Sequence, residues 1–121
     1  MPTRTTVEAF TEHVVSGDHV GAIRDWYAPD ASMQENQGEP RVGRDLLMEG
    51  EAKTLARFKR VETELLAPPL INGDTVVIRW RFTFVPETGS AKVIEEVAWQ
   101  TWKGDKVWRE TFFYDPKQMA G

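Results

Sequence analysis

Between Thr75 and Pro86 the chain reads TVVIRWRFTFVP, with Val76, Ile78, Trp80, Phe82 and Phe84 at alternate positions. Apolar side chains recurring at every second residue fit a strand, whose successive side chains point to opposite faces. Val77, Arg79, Arg81, Thr83 and Val85 take the other face. Asn72-Gly73-Asp74 is a strong turn signal leading into this run. A turn around Thr88-Gly89-Ser90 leads to Lys92–Lys103, and Gly104-Asp105 turns into Lys106–Asp115. The spacing predicts an antiparallel meander of three long strands. A further strand, Lys59–Leu66, precedes it and ends at Pro68-Pro69.

The first half of the chain reads as helices. Thr5-Thr6-Val7-Glu8 fits a capping box with Thr5 as cap, and Val7, Phe10 and Val14 then recur at helical spacing. Gly17 stops this helix and Asp18 caps a second one. The second helix carries Ala22, Ile23, Trp26 and Tyr27 and stops before Pro29. Ala31–Asn36 is a short strand with Met33 and Glu35 on one face. Gly38, Pro40 and Gly43 bound a loop. Arg44 to about Arg57 is a third helix, with Met48, Ala52, Leu55 and Ala56 on one face.

Helices followed by strands predict an α+β class, a curved antiparallel sheet covered on one face by the helices. A length of 121 residues suits one domain spanning residues 1–121. Trp99, Val97, Val93, Phe113 and Val107 have the parity opposite to Trp80, so a second apolar sheet face is left uncovered. A homodimer through that outer face is the expectation. A net charge of −4 offers no electrostatic footprint for nucleic acid or an anionic membrane. No apolar run approaches the roughly 20 residues of a membrane span. MPTRTTVEAF lacks the apolar core of a signal peptide, so a cytoplasmic protein is expected. With no Cys and two His, His13 and His19, six residues apart, no metal site and no cofactor are expected.

The chemistry-bearing residues follow from parity. Taking the Trp80 face as inner places Ile94, Glu96, Ala98, Gln100 and Trp102 inward on the next strand. It places Trp108, Glu110, Phe112 and Tyr114 inward on the last. With Glu35, three carboxylates then stand among Trp, Phe, Tyr and Met. A carboxyl in apolar surroundings is costly as an anion and its pKa rises, which suits it to proton transfer near neutral pH. Glu35, Glu110 and His13 are the catalytic candidates. Phe10, Trp26, Tyr27, Met33, Trp80, Phe82, Glu96, Ala98, Trp108, Phe112 and Tyr114 are candidates to line a pocket for a small apolar or aromatic molecule. Tyr27 could offer its hydroxyl to a ligand or to Glu35. The alternative is structural: the glutamates bond Tyr, Trp or backbone donors, or sit in water at a pocket mouth. Glu95, of opposite parity, is expected to pair with Arg79 or Arg109 outside, and His19 to lie on the surface.

The segments GDHVGAIRDWYAPDASMQENQGEPRVGRDLL and GDKVWRETFFYDP resemble nuclear transport factor 2-like proteins, the superfamily of ketosteroid isomerase and the SnoaL-like polyketide cyclases. The resemblance implies a cone-shaped α+β barrel around an apolar pocket, and a dimer. It places Glu35 where the isomerase has its Asp base. Phe10 and Ala98 fall where the isomerase has its oxyanion-hole Tyr and protonated Asp, so both donors are missing. Loss of one such donor commonly costs about a hundredfold or more in rate, which argues against steroid isomerisation by that route. The expected function is acid/base isomerisation, cyclisation or dehydration of a small apolar carbonyl compound. A non-catalytic binding or dimerisation module is the alternative.

Overall fold

The computed structural model describes residues 1–120. Helix α1 spans Arg4–Val15, and Thr3, not Thr5, is its cap: the Thr3 hydroxyl accepts from the Thr6 amide at 3.1 Å. Thr3 is extended, with φ −83° and ψ 162°, which suits a cap and leaves Thr5 inside the first turn. Helix α2 spans His19–Trp26, and Asp18 caps it by accepting from the Gly21 amide at 3.0 Å. Gly17 turns the chain between the two helices at φ +94°.

Tyr27 lies just past the last helical residue: its extended backbone caps α2, the amide donating to the Ile23 carbonyl, and it opens strand β1, Tyr27–Glu35. The register of β1 shifts between Tyr27 and Ser32, where Pro29 cannot donate to a ladder. Strand β2, Arg41–Val42, folds back on β1, and α3 follows over Arg44–Leu55. Strands β3 (Arg60–Leu65), β4 (Leu70–Asn72), β5 (Thr75–Val85), β6 (Lys92–Lys103) and β7 (Lys106–Phe113) complete the sheet, and a 3-10 turn covers Pro116–Met119.

The predicted meander is present as β5–β6–β7. The sheet as a whole is mixed, however, because β1 lies parallel to β7. The order β2-β1-β7-β6-β5-β3, with β4 beside β5, runs edge to edge without closing. Helices over one face of this curved sheet give the α+β cone fold.

On the inner face, Val76, Ile78, Trp80, Ala98, Gln100 and Trp102 are all buried. The parity predicted for β7 holds only in part. A bulge between Thr101 and Trp102 pairs Trp102 with Val107 while Gln100 pairs with Glu110. Val107 is thereby turned inward and fully buried, contrary to its expected outward parity. Trp108 is displaced from the interior: its ring lies under Lys103 and Arg109, and its Nε1 donates to Asp30. On α3 the buried residue is Leu47, and Ala52 and Ala56 of the expected apolar face are exposed. Trp99, Val93 and Phe113 stand exposed on the outer face. Glu95 pairs there with Arg79 and Arg81, and not with Arg109. Among the described residues no helix is long and apolar enough to cross a membrane.

Candidate functional site

The inner sheet face, the facing sides of α1 and α2, and α3 enclose a cavity of about 370 Å³. That volume lies within the usual range for small-molecule sites, about 300–1,000 Å³. Its walls are aromatic at Phe10, Tyr27, Trp80, Phe82 and Phe112, and four glutamates, Glu35, Glu51, Glu96 and Glu110, reach it.

Glu110 is buried and both of its oxygens are engaged. The Tyr27 hydroxyl donates to Oε1, and Gln100 Nε2 donates to Oε2 at 2.6 Å. Behind Gln100, Trp102 Nε1 donates to Gln100 Oε1 at 2.9 Å. The β6–β7 register sets Gln100 opposite Glu110, and the parallel β1–β7 pairing brings Tyr27 to the same strand. Burial raises the Glu110 carboxyl to about 7, while the Tyr27 and Gln100 hydrogen bonds favour the anion. Tyr27 itself is pushed well above the usual phenol range, first by burial and then by the Glu110 charge, so it keeps its proton.

Glu96 contrasts with Glu110. It faces Trp80 across the β5–β6 ladder. Burial first, then the charges of Glu110, Glu35 and Glu51, raises it to about 8, and no hydrogen bond from a described residue offsets this. At neutral pH it is a neutral carboxylic acid with a hydroxyl to donate into the cavity.

Glu35 reaches the cavity but does not sit in its apolar interior. Its side chain is 54% exposed, with Arg41 Nη2 at 3.8 Å and the Tyr114 hydroxyl donating at 3.4 Å. It is the last residue of β1, before Asn36 turns the chain at φ +51°, so it falls at the mouth. Tyr27, offered as a partner for Glu35, turns instead to Glu110.

His13 is absent from the cavity wall. Its Nε2 pairs with Asp18 at 2.9 Å, and its Nδ1 accepts from Trp26 Nε1 at 3.1 Å. Both rings therefore tie α1 to α2, and Trp26 packs edge-on against Phe10. Ala98 is fully buried but does not reach the cavity. Trp26 and Trp108, both expected to line the cavity, lie outside it, whereas Phe10, Met33, Trp80, Phe82, Phe112 and Tyr114 line it.

Several cavity residues were not expected from the sequence. His19 is buried, bonds Thr63 Oγ1 at 2.8 Å and packs edge-on against Phe82. Burial lowers its pKa, which favours the neutral ring. Glu51 and Thr54 lie four and seven positions after Leu47, and that stripe is the signal that could have found them. It is obscured because Leu46-Leu47-Met48 offers three apolar residues in a row. Glu51 is also raised, chiefly by burial. Arg41 and Arg57 complete the mouth. Among the described residues no group of three or more His, Cys, Asp or Glu is arranged to hold a metal ion. The site can therefore supply a hydrogen-bonded carboxylate and a neutral carboxylic acid to one apolar space.

The SnoaL-like domain family matches residues 7–110 of this chain. Among curated proteins no sequence match is found. A solved structure from Mesorhizobium loti, assigned as a SnoaL-like polyketide cyclase, is 26% identical. It covers 94% of this chain and 100% of its own, with a TM-score of 0.75. A similarly assigned protein from Jannaschia sp. CCS1 is 18% identical, covering 98% of this chain and 92% of its own at a TM-score of 0.80. TerC, crystallised with polyporic acid, is 16% identical, covering 95% and 92% at a TM-score of 0.78. The last two likenesses concern the fold alone.

Proposed function

This chain belongs to the SnoaL-like domain family, and from that premise we propose that its cavity carries out acid/base chemistry on a small, largely apolar carbonyl compound. Glu110 is the base and Glu96 the acid. The observation that carries this reading is the opposite wiring of two carboxyls in one cavity. Glu110 receives hydrogen bonds on both oxygens, and Glu96 receives none from a described residue.

In the proposed reaction the Glu110 carboxylate takes the proton from the carbon next to the substrate carbonyl. The Glu96 hydroxyl donates a hydrogen bond to the carbonyl oxygen, where negative charge gathers. Return of the proton to a different carbon completes an isomerisation. Attack of the enolate carbon on a second carbonyl, whose oxygen takes the proton, completes a cyclisation. Departure of a hydroxyl on the next carbon, leaving with the proton as water, completes a dehydration. Glu96 stands on β6 two residues before Ala98, so the strand that lacks a donor at Ala98 carries a carboxylic acid that does reach the cavity. The aromatic walls favour a flat ring, and TerC, of the same fold, is crystallised with polyporic acid. Two copies pair through the outer face of β6 and β7, where Trp99, Val93 and Phe113 are exposed.

The test is exchange of carbon-bound hydrogen for deuterium, followed by NMR in D2O with aromatic ketones, lactones and hydroxyquinones. The wild-type protein is expected to exchange at least one of them. Glu110→Gln is expected to lose about a hundredfold or more. Equal exchange by wild type and Glu110→Gln would sink the assignment of Glu110 as base. The complete hydrogen bonding of Glu110 also suits a second reading, a non-catalytic binding module. Ligand-induced thermal stabilisation without exchange of any compound would favour that reading.

A further inference from the structure

The hydrogen bonds behind Glu110 run in one direction. An indole N–H can only donate, so Trp102 Nε1 must face the oxygen of the Gln100 amide. With its oxygen held there, Gln100 has only its NH2 to turn toward Glu110 Oε2. All three side chains of this relay are buried, so no water competes for the amide. The relay offers no acceptor at Oε2, so a proton taken up by Glu110 is confined to Oε1, beside the Tyr27 hydroxyl, while Oε2 goes on accepting from the amide.

We propose that Trp102 and Gln100 are positioning residues that lock Oε2 of Glu110 as a hydrogen-bond acceptor and so favour the carboxylate, the indole acting on it only through the orientation of the amide. The inference rests on the reading of Glu110 as base and extends it by naming what holds that base ready. Neither residue lines the cavity, so neither touches a substrate there. The other groups facing Glu110 are Tyr27 from β1, Arg41 from β2, Glu51 from α3 and Glu96 from β6. Tyr27 can donate or accept, and Arg41 lies at the exposed mouth. The amide is thus the member of the set with a fixed direction.

The experiment is an NMR titration of the Glu110 side-chain carbonyl in ¹³C-glutamate-labelled protein, assigned by its loss in Glu110→Gln. Trp102→Phe keeps an aromatic ring and frees the amide to flip, so that its oxygen can accept from protonated Glu110. Its Glu110 midpoint is expected to rise by about one to two pH units. Gln100→Met, which retains the length of the chain and carries no donor, is expected to raise it similarly. In the Gln100→Met background, Trp102→Phe is expected to add nothing further. An unchanged midpoint in folded Trp102→Phe overturns the proposal, as does an equal further rise in the double variant. Should Trp102→Phe fail to fold, an unchanged midpoint in Gln100→Met alone overturns it. The titration needs no substrate. Shifted midpoints in a protein that exchanges no carbon-bound hydrogen would remove the catalytic reading and leave the lock standing.

Discussion

Glu96 keeps its proton at neutral pH because burial, reinforced by Glu110, Glu35 and Glu51, raises it from 4.5 to about 8. Between those two values the folded chain holds more protons than the unfolded chain, so stability falls as pH rises. The contribution is whole below about pH 4.5 and is lost as pH climbs through about 8. Glu110, raised to about 7, acts in the same direction. The melting temperature is therefore expected to decline between about pH 5 and about pH 8.5. Glu96→Gln is expected to flatten that decline and to be the more stable protein at the alkaline end, by on the order of 3 kcal/mol. Calorimetry across the range checks this, and parallel curves for the two proteins would refute it. Parity along TVVIRWRFTFVP carried Glu96 and Glu110 to the inner face correctly. It could not distinguish a wired carboxyl from a bare one, because their partners sit on other strands.

At the scale of the element, the junction of α1 and α2 shows how local chemistry fixes a helix start. Asp18 caps α2 through the Gly21 amide, and a Cβ on Gly21 would lie 2.0 Å from Asp18 Oδ2. Gly21→Ala should expel the carboxylate from the cap and cost about 1 kcal/mol. In an Asp18→Ala background the same change should instead stabilise, by up to about 1 kcal/mol, because Ala is the better helix former. Urea unfolding of the two singles and the double reads the reversal of sign; additive effects would argue against the steric account. The Gly17-Asp18 pair made this junction legible in sequence. The bulge at Thr101–Trp102 had no such mark, and it alone exchanges the places of Val107 and Trp108.

At the scale of the molecule, the proposed pairing of two copies through the outer sheet face can be tested directly. Trp99 and Phe113 are 51% and 41% exposed there, beside the Arg79–Glu95–Arg81 cluster. Sedimentation equilibrium is expected to give a dimer for the parent and a monomer for Trp99→Lys combined with Phe113→Lys. A monomeric parent at micromolar concentration would exclude the pairing. The sequence by itself determined the strand and helix periods, the turns, the inner face of β5 and β6, and the α+β class. Each of these depends on residues within a few positions of one another. Only the tertiary structure decided that β1 runs parallel beside β7, that Tyr27 meets Glu110 from 83 positions away, and that Glu35 ends at the mouth. Those outcomes follow from strand register and from the shift in it along β1. Both are set by packing across the whole sheet, and no local pattern of residues encodes them.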